Sequence, residues 1–243
     1  MLAHAGFKAL ASTSAGFAFT LGKTDGADGV PLEALLEHLR VLVNATPLPV
    51  NADFQNGYAH EPDGVARNVT ACIATGVAGL SIEDSPGTSA LIYDRAVAVE
   101  RIRAARTAID RSGSGVVLTA RCEAYLVGHP DAAQLVPDRL AAYAEAGADC
   151  LYAPALPNLD AVKSVVELAA PRPVNVLVGG AVPGVTVGKL AELGVRRVSL
   201  GAGLARVSWG AVQRAVHELA SEGTFGGFVD AMAYSELNAL FRT

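Results

Sequence analysis

Three pairs of polar residues, each spaced two apart inside a short apolar run, carry the chemistry of this chain. They are Asn51 and Asp53 in PLPVNADF (47–54), Ser81 and Glu83 in ATGVAGLSIED (74–84), and Arg121 and Glu123 in GVVLTARCEA (115–124). Alternate residues of a strand share a face, so each pair points one way. Asp53 and Glu83 are hard oxygen donors with no His or Cys beside them, a set that favours Mg²⁺ or Mn²⁺ over zinc. Arg121 brings a planar fork that grips a carboxylate or phosphonate through two parallel hydrogen bonds. The expected chemistry is therefore a divalent ion together with a small anionic carboxylate or phosphonate. Other polar residues at the ends of apolar runs are Ser12, Thr13, Ser14, Asp84, Tyr152, Asn175 and Ser199. A general acid or base is to be sought in Glu123 or in a residue of 85–93. The plainer alternative is that these side chains only cap strands and helices.

What is missing narrows the field. The four lysines, Lys8, Lys23, Lys163 and Lys189, all lie away from the ends of the apolar runs, which disfavours a Schiff-base aldolase. There is no GxSxG elbow, no HExxH, and no GxGxxG after the first run. His60 and His129 fall in loops, and His38 and His217 within helical patterns as surface or packing residues. Cys122 alternates away from Arg121 and reads as packing. Trp209 and the aromatic residues near the C-terminus read as helix-packing anchors.

To bring such residues together, the chain must place several strand ends at one rim. One join recurs in HAGFKALAST (4–13), ATGVAGLSIED (74–84), EAGADCLYAP (145–154) and ELGVRRVSLG (192–201): a glycine suited to ending a helix, then an apolar run suited to a buried strand. Runs 47–54, 115–124 and 173–180 complete seven strands. Between them, helical patterns cover 32–43 after Pro31, a segment opened by Pro62 and closed at Gly76, 90–111, 137–146, 158–170, 185–193, 204–222 and 228–242. Alternating strands and helices predict a parallel α/β fold. The absence of a dinucleotide fingerprint and of any linker favours a (β/α)8 TIM-type barrel over an open doubly wound sheet, with 1–243 as one domain. MLAHAG reads as the last turn of a first helix, so the first strand and most of that helix are expected to be lacking; a short fraying segment is the alternative.

Composition agrees with an ordered enzyme. Of 243 residues, 51% are hydrophobic and 18% charged, which excludes a disordered chain. A net charge of −5 offers no basic footprint for nucleic acid, and no run is long enough to span a membrane. Cys72, Cys122 and Cys150 are far apart with no CxxC, which points to a reducing compartment, with the cytoplasm as the default.

PVNADFQNGYAHEPDGVARNV (49–69), GVAGLSIEDS (76–85) and LTARCEAYLVG (118–128), followed by AEAGADCLYAP, RPVNVLVGG and GVRRVSLGAGLAR, resemble the isocitrate lyase / phosphoenolpyruvate mutase superfamily over nearly the whole chain. The nearest look is to members labelled carboxyphosphonoenolpyruvate phosphonomutase-like or methylisocitrate lyase-like. The resemblance implies a Mg²⁺-dependent lyase or mutase that makes or breaks a C–C or P–C bond in a small 2-oxo or 2-hydroxy acid through an enolate. By motif, Asp53 and Glu83 would organise the metal, Asp25 would act through water, and Asn51 would offer a carbonyl oxygen. Ser14, Ala15 and Gly16 match the turn that holds the substrate's anionic head, and Arg121 matches the substrate-binding arginine; Asn175, at a strand end, is expected beside them. The resemblance also implies a homo-oligomer, a tetramer or dimer, with helices of 204–243 exchanged between neighbours.

The departures are specific. Asn51 stands where the family's D-x-D has its first acid, the lyases' KKCGH loop is replaced by PGTSALIYD after IEDS, and Ala153 stands where the mutase has a histidine. These leave open an oxaloacetate-type hydrolase or decarboxylase, or a degraded member that only binds a small acid.

Overall fold

The recurring glycine join is built as the sequence spells it. In a computed structural model describing residues 1–26, 29–87 and 91–241, Gly6, Gly76, Gly147 and Gly194 have φ between +87° and +103°. Around Gly147 the Gly147 amide donates to the Ala144 carbonyl and the Ala148 amide to the Tyr143 carbonyl; Gly194 and Gly6 repeat the pattern. This is the left-handed C-terminal stop that a Cβ would disfavour. It closes the N-terminal turn over 1–6, where the Ala5 amide donates to the Met1 carbonyl.

Seven strands follow in chain order: β1 (Leu10–Ala11), β2 (Val50–Asp53), β3 (Gly79–Glu83), β4 (Val117–Arg121), β5 (Cys150–Tyr152), β6 (Val174–Leu177) and β7 (Arg197–Ser199). They form one sheet in the order β1-β2-β3-β4-β5-β6-β7, every pair parallel. With helices flanking it, this is a nearly closed TIM-type barrel. Among the described residues no ladder joins β7 back to β1, which leaves open the place of an eighth strand.

The helices are α1 (Ser14–Thr20), α2 (Leu32–Asn44), α3 (Pro62–Ile73), α4 (Arg95–Ser112), α5 (Ala132–Glu145), α6 (Leu159–Ala169), α7 (Val187–Glu192), α8 (Gly203–Glu222) and α9 (Tyr234–Ala239). α5 starts five residues earlier than expected, with Pro137 inside it. A proline early in a helix forfeits one backbone bond, and its fixed φ otherwise fits. The expected helix over 228–242 is a 3-10 turn, Gly226–Phe228, and the short α9, and residue 242 lies outside the described residues. The start of the expected 90–111 helix also differs: α4 begins at Arg95, capped by Asp94, whose carboxylate accepts from the Ala96 amide, while residue 90 lies outside the described residues.

Helix faces pack on the sheet through one core that includes Leu39, Leu80, Leu118, Leu140 and Leu151. Burying each such side chain is worth about 1.5–3 kcal/mol. His38 stacks on Phe17 with ring centroids 3.9 Å apart, the packing role expected of it. The C-terminal part differs: α8 buries none of its residues, and Trp209 is 50% exposed. Trp209, Phe225, Phe228 and Phe241 are thus surface residues of the single chain rather than packing anchors, since among the described residues no element buries them. No helix among the described residues is long and apolar enough to cross a membrane.

Candidate functional site

Parallel register brings the acidic and basic strand ends to one level. Asp53 pairs with Ser81 and Glu83 with Arg121 across β2, β3 and β4. Alternation then turns Asp53, Glu83 and Arg121 into the barrel mouth, and Glu123, two residues beyond Arg121, joins them. A cleft of about 290 Å³ opens there, and Ser14, Asp25, Asp53, Glu83, Arg121 and Glu123 all line it.

Arg121 is the centre of this group. Its Nη1 donates to Asp53 Oδ1 at 3.0 Å and lies 2.7 Å from Glu83 Oε1. Its Nε and Nη2 donate to the two oxygens of Glu123 at 2.8 and 3.2 Å, the bidentate geometry of a strong charged pair. The guanidinium also lies 4.8 Å over the Tyr152 ring. Asp53 is fixed at its other oxygen, where Oδ2 accepts from the Ser14 amide at 2.9 Å, while Ser12 Oγ accepts from the Asp53 amide. Thr13 caps α1, its hydroxyl accepting from the Gly16 amide.

Three carboxylates, Asp53, Glu83 and Glu123, therefore share one guanidinium, and Asp25 lines the same cleft. Burial pushes the Glu83 carboxyl well above the ordinary range, against the pull of Arg121 and with Glu123 and Asp53 adding to it. Burial likewise raises Glu123 and Asp25, the latter half-buried and hydrogen-bonded by Ser14. Arg121 is driven firmly to its charged form by Glu123, Glu83 and Asp53, which outweigh its own desolvation. The cleft is short of positive charge.

Such a donor set fits a divalent cation. Asp53 and Glu83 already place one oxygen each against a single cationic nitrogen, so the two oxygens lie no further apart than those two contacts together allow. All the donors are oxygens, and the surplus charge is negative. Among the described residues no three His, Cys, Asp or Glu side chains group closely enough to hold an ion alone.

Not every expected residue reaches the cleft. Asn51 lies two residues below Asp53 and is absent from the lining; its Nδ2 donates to the Ala52 carbonyl, and its Oδ1 is buried without a partner beside Gly79. Asn175 is 2% exposed and also outside the lining, its Nδ2 donating to Ser199 Oγ on β7. Asn51 sits one level too deep, because a residue two places earlier on a strand is about 6–7 Å further from the rim, and Asn175, which pairs with Tyr152 in the ladder, turns to Ser199 instead. Ala15 and Gly16 lie inside the first turn of α1, and only Ser14 of that trio lines the cleft. Of 85–93, Ser85, Pro86 and Gly87 line it, whereas residues 88–90 lie outside the described residues.

Gln55 and Asn56 line the cleft too, and the sequence reading missed them. They follow Asp53 in a loop where Gln55 and Tyr58 take positive φ, with Asn68 Nδ2 donating to the Gly57 and Tyr58 carbonyls. Arg101, itself buried, donates to the Asn56, Ala59 and His60 carbonyls. The signal was present in QNGY, a polar turn directly after a strand end.

Comparison with known proteins places this architecture. The family model described as phosphoenolpyruvate phosphomutase matches residues 1–220. A crystal structure of a candidate lyase/mutase from Burkholderia cenocepacia superposes with a TM-score of 0.93 at 42% identity, covering 100% of this chain and 86% of that one. The 2-methylisocitrate lyase of Salmonella typhimurium is 30% identical over 225 residues, which is 87% of this chain and 75% of that protein. Oxaloacetate acetylhydrolase, solved in complex with its product oxalate, gives a TM-score of 0.85 at 27% identity over 98% of this chain and 83% of that one.

Proposed function

Since the chain belongs to the phosphoenolpyruvate phosphomutase family, a family of lyases and mutases, we propose that it is a Mg²⁺- or Mn²⁺-dependent enzyme of a small 2-oxo or 2-hydroxy carboxylate or phosphonate. The observation that carries this reading is the sharing of one cationic nitrogen by Asp53 and Glu83 at the mouth of the cleft. Asp53 and Glu83 would hold the ion, with Asp25 reaching it through water. Bound there, the ion supplies Lewis-acid stabilisation of negative charge developing on a substrate oxygen.

The chain's own groups do the rest. Arg121 binds the anionic end of the substrate, and Glu123 holds the guanidinium plane in place through two hydrogen bonds. Ser14, at the start of α1, anchors Asp53 through its amide and lines the cleft beside Asp25. Glu123, with its carboxyl raised by burial, is the residue placed to hold or release a proton beside the substrate. Asn51 and Asn175 support the strand ends from below rather than touching the ligand. The bond at stake is a C–C bond in the first instance, because relatives at 30% identity that cover 87% of this chain are 2-methylisocitrate lyases. A second reading, oxaloacetate cleavage to oxalate, is favoured by the likeness to oxaloacetate acetylhydrolase.

A panel of 2-methylisocitrate, oxaloacetate and phosphonopyruvate, each with Mg²⁺ and with chelator, tests the proposal. Metal-dependent release of succinate plus pyruvate, of oxalate plus acetate, or of phosphoenolpyruvate identifies the reaction. Metal-independent turnover contradicts the reading.

The assembly proposed is a homo-oligomer, tetramer or dimer, built on the single barrel domain and on helices of 204–243. Leu204, Val207, Val212, Val216 and Leu219 put an apolar stripe on the exposed face of α8. A shallow apolar depression of about 390 Å³ between Phe19 and Trp209 continues it. Buried free thiols at Cys72, Cys122 and Cys150 fit a reducing compartment such as the cytoplasm.

A further inference from the structure

One nitrogen of Arg121 occupies the position between the two carboxylates that the proposed metal would use. Nη1 is 3.0 Å from Asp53 Oδ1 and 2.7 Å from Glu83 Oε1, and it turns to both at once. The same guanidinium is also the group assigned to the substrate's anionic end. It cannot fill both offices in one position. A divalent ion drawn to Asp53 and Glu83 meets a fixed positive charge among its own ligands, and each cation weakens the hold of the other. Glu123 makes this exchange local. It grips Nε and Nη2 with both oxygens, so Arg121 can give up Asp53 and Glu83 through Nη1 without leaving the cleft.

We infer that Arg121 is a resident counter-cation of the metal ligands, displaced from them when the divalent ion binds and thereby turned toward the substrate anion. This rests on the metal reading above and adds to it an order of events: cation first, anion second. A fixed arginine that only helps the site would predict that losing it weakens metal binding. Displacement predicts the opposite, because removing the competitor leaves the carboxylates free.

Mn²⁺ titrations read by electron paramagnetic resonance of the free ion, without substrate, test this. Arg121→Gln is expected to bind Mn²⁺ about tenfold or more tightly than the wild-type protein. The loss of one positive charge from a buried acidic group can also unfold the chain. The double variant Arg121→Gln/Glu123→Gln removes one charge of each sign and keeps the net charge of the cluster. It too is expected to bind Mn²⁺ more tightly than wild type, and that gain cannot come from a change in net charge. Circular dichroism identifies which variants are folded. Equal or weaker Mn²⁺ binding by a folded variant, with wild type binding the ion, overturns the displacement and leaves the metal reading standing. No Mn²⁺ binding by wild type or by either folded variant overturns both.

Discussion

Glu83 and Asp84 are neighbours in sequence and belong to two unlike networks. Glu83 faces the mouth, where Asp53, Glu83 and Glu123 share the guanidinium of Arg121 and Asp25 lines the same cleft. Asp84, one residue on, faces the helix layer and is fully answered. Its Oδ2 accepts from Arg139 at 3.0 Å and from the Tyr143 hydroxyl at 2.6 Å, and its Oδ1 accepts from the Glu123 amide at 2.7 Å. Arg139 also donates to the Tyr93 carbonyl, and the Tyr93 amide donates to the Asp84 carbonyl. One network is sealed, balanced and structural. The other is open, surplus in negative charge and poised for ligands. A buried carboxylate whose two oxygens are both answered holds a fold in one arrangement, whereas a cluster left short of charge is a cost the fold carries for function.

Breaking the sealed side should cost most in stability. Asp84→Ala leaves the Arg139 guanidinium buried without its carboxylate and frees the Glu123 amide, a loss of about 3–5 kcal/mol. Urea unfolding followed by circular dichroism measures it.

On the open side the same kind of change acts on activity instead. Glu83→Gln removes one of the crowded charges, so unfolding stability in chelator stays level or rises. Metal-dependent turnover of whichever substrate the panel identifies falls about a hundredfold or more.

The contrast sharpens with pH. Glu83, Glu123 and Asp25 carry carboxyls raised in the folded state. A carboxyl raised on folding contributes stability that is complete below its unfolded value and is lost as pH climbs through its folded one. In chelator, the melting temperature should therefore fall as pH rises above the ordinary carboxylate range, and Mg²⁺ should recover more of it at the upper end. Glu83→Gln should flatten that slope, while a variant of the sealed side such as Tyr143→Phe should keep it.

The smallest effect expected on the barrel itself is at the C-terminal stripe. Val212→Glu and Val216→Glu alter exposed positions of α8 and should leave barrel stability nearly unchanged. If the proposed homo-oligomer forms through this stripe, light scattering shows it shifted toward monomer in these variants.

Much of this was legible in the sequence because it is periodic. The four glycine joins and the seven apolar runs each state a local rule, and parallel register follows from their alternation with helices. The pairs Asp53, Glu83 and Arg121 could be put on one rim by counting in twos. Depth could not be counted the same way. Asn51 shares a face with Asp53 and still lies below the cleft, and Asn175, paired with Tyr152 in the ladder, is drawn to Ser199 rather than into the lining. Gln55 and Asn56 were missed because a loop with positive φ, held by Asn68 and Arg101 from distant helices, has no period to read. The aromatic C-terminus has the pattern of a packed helix in the sequence, and only the fold shows that this chain alone does not cover it.

The most direct measurement is calorimetric titration of Mg²⁺ into the wild-type protein with oxalate present, beside Glu83→Gln. Oxalate offers the planar pair of oxygens that the cleft is proposed to accept. Uptake of one ion per chain, lost in Glu83→Gln, is the predicted result. No heat of binding in the wild type, or equal binding in the variant, would contradict the account of the barrel mouth given above.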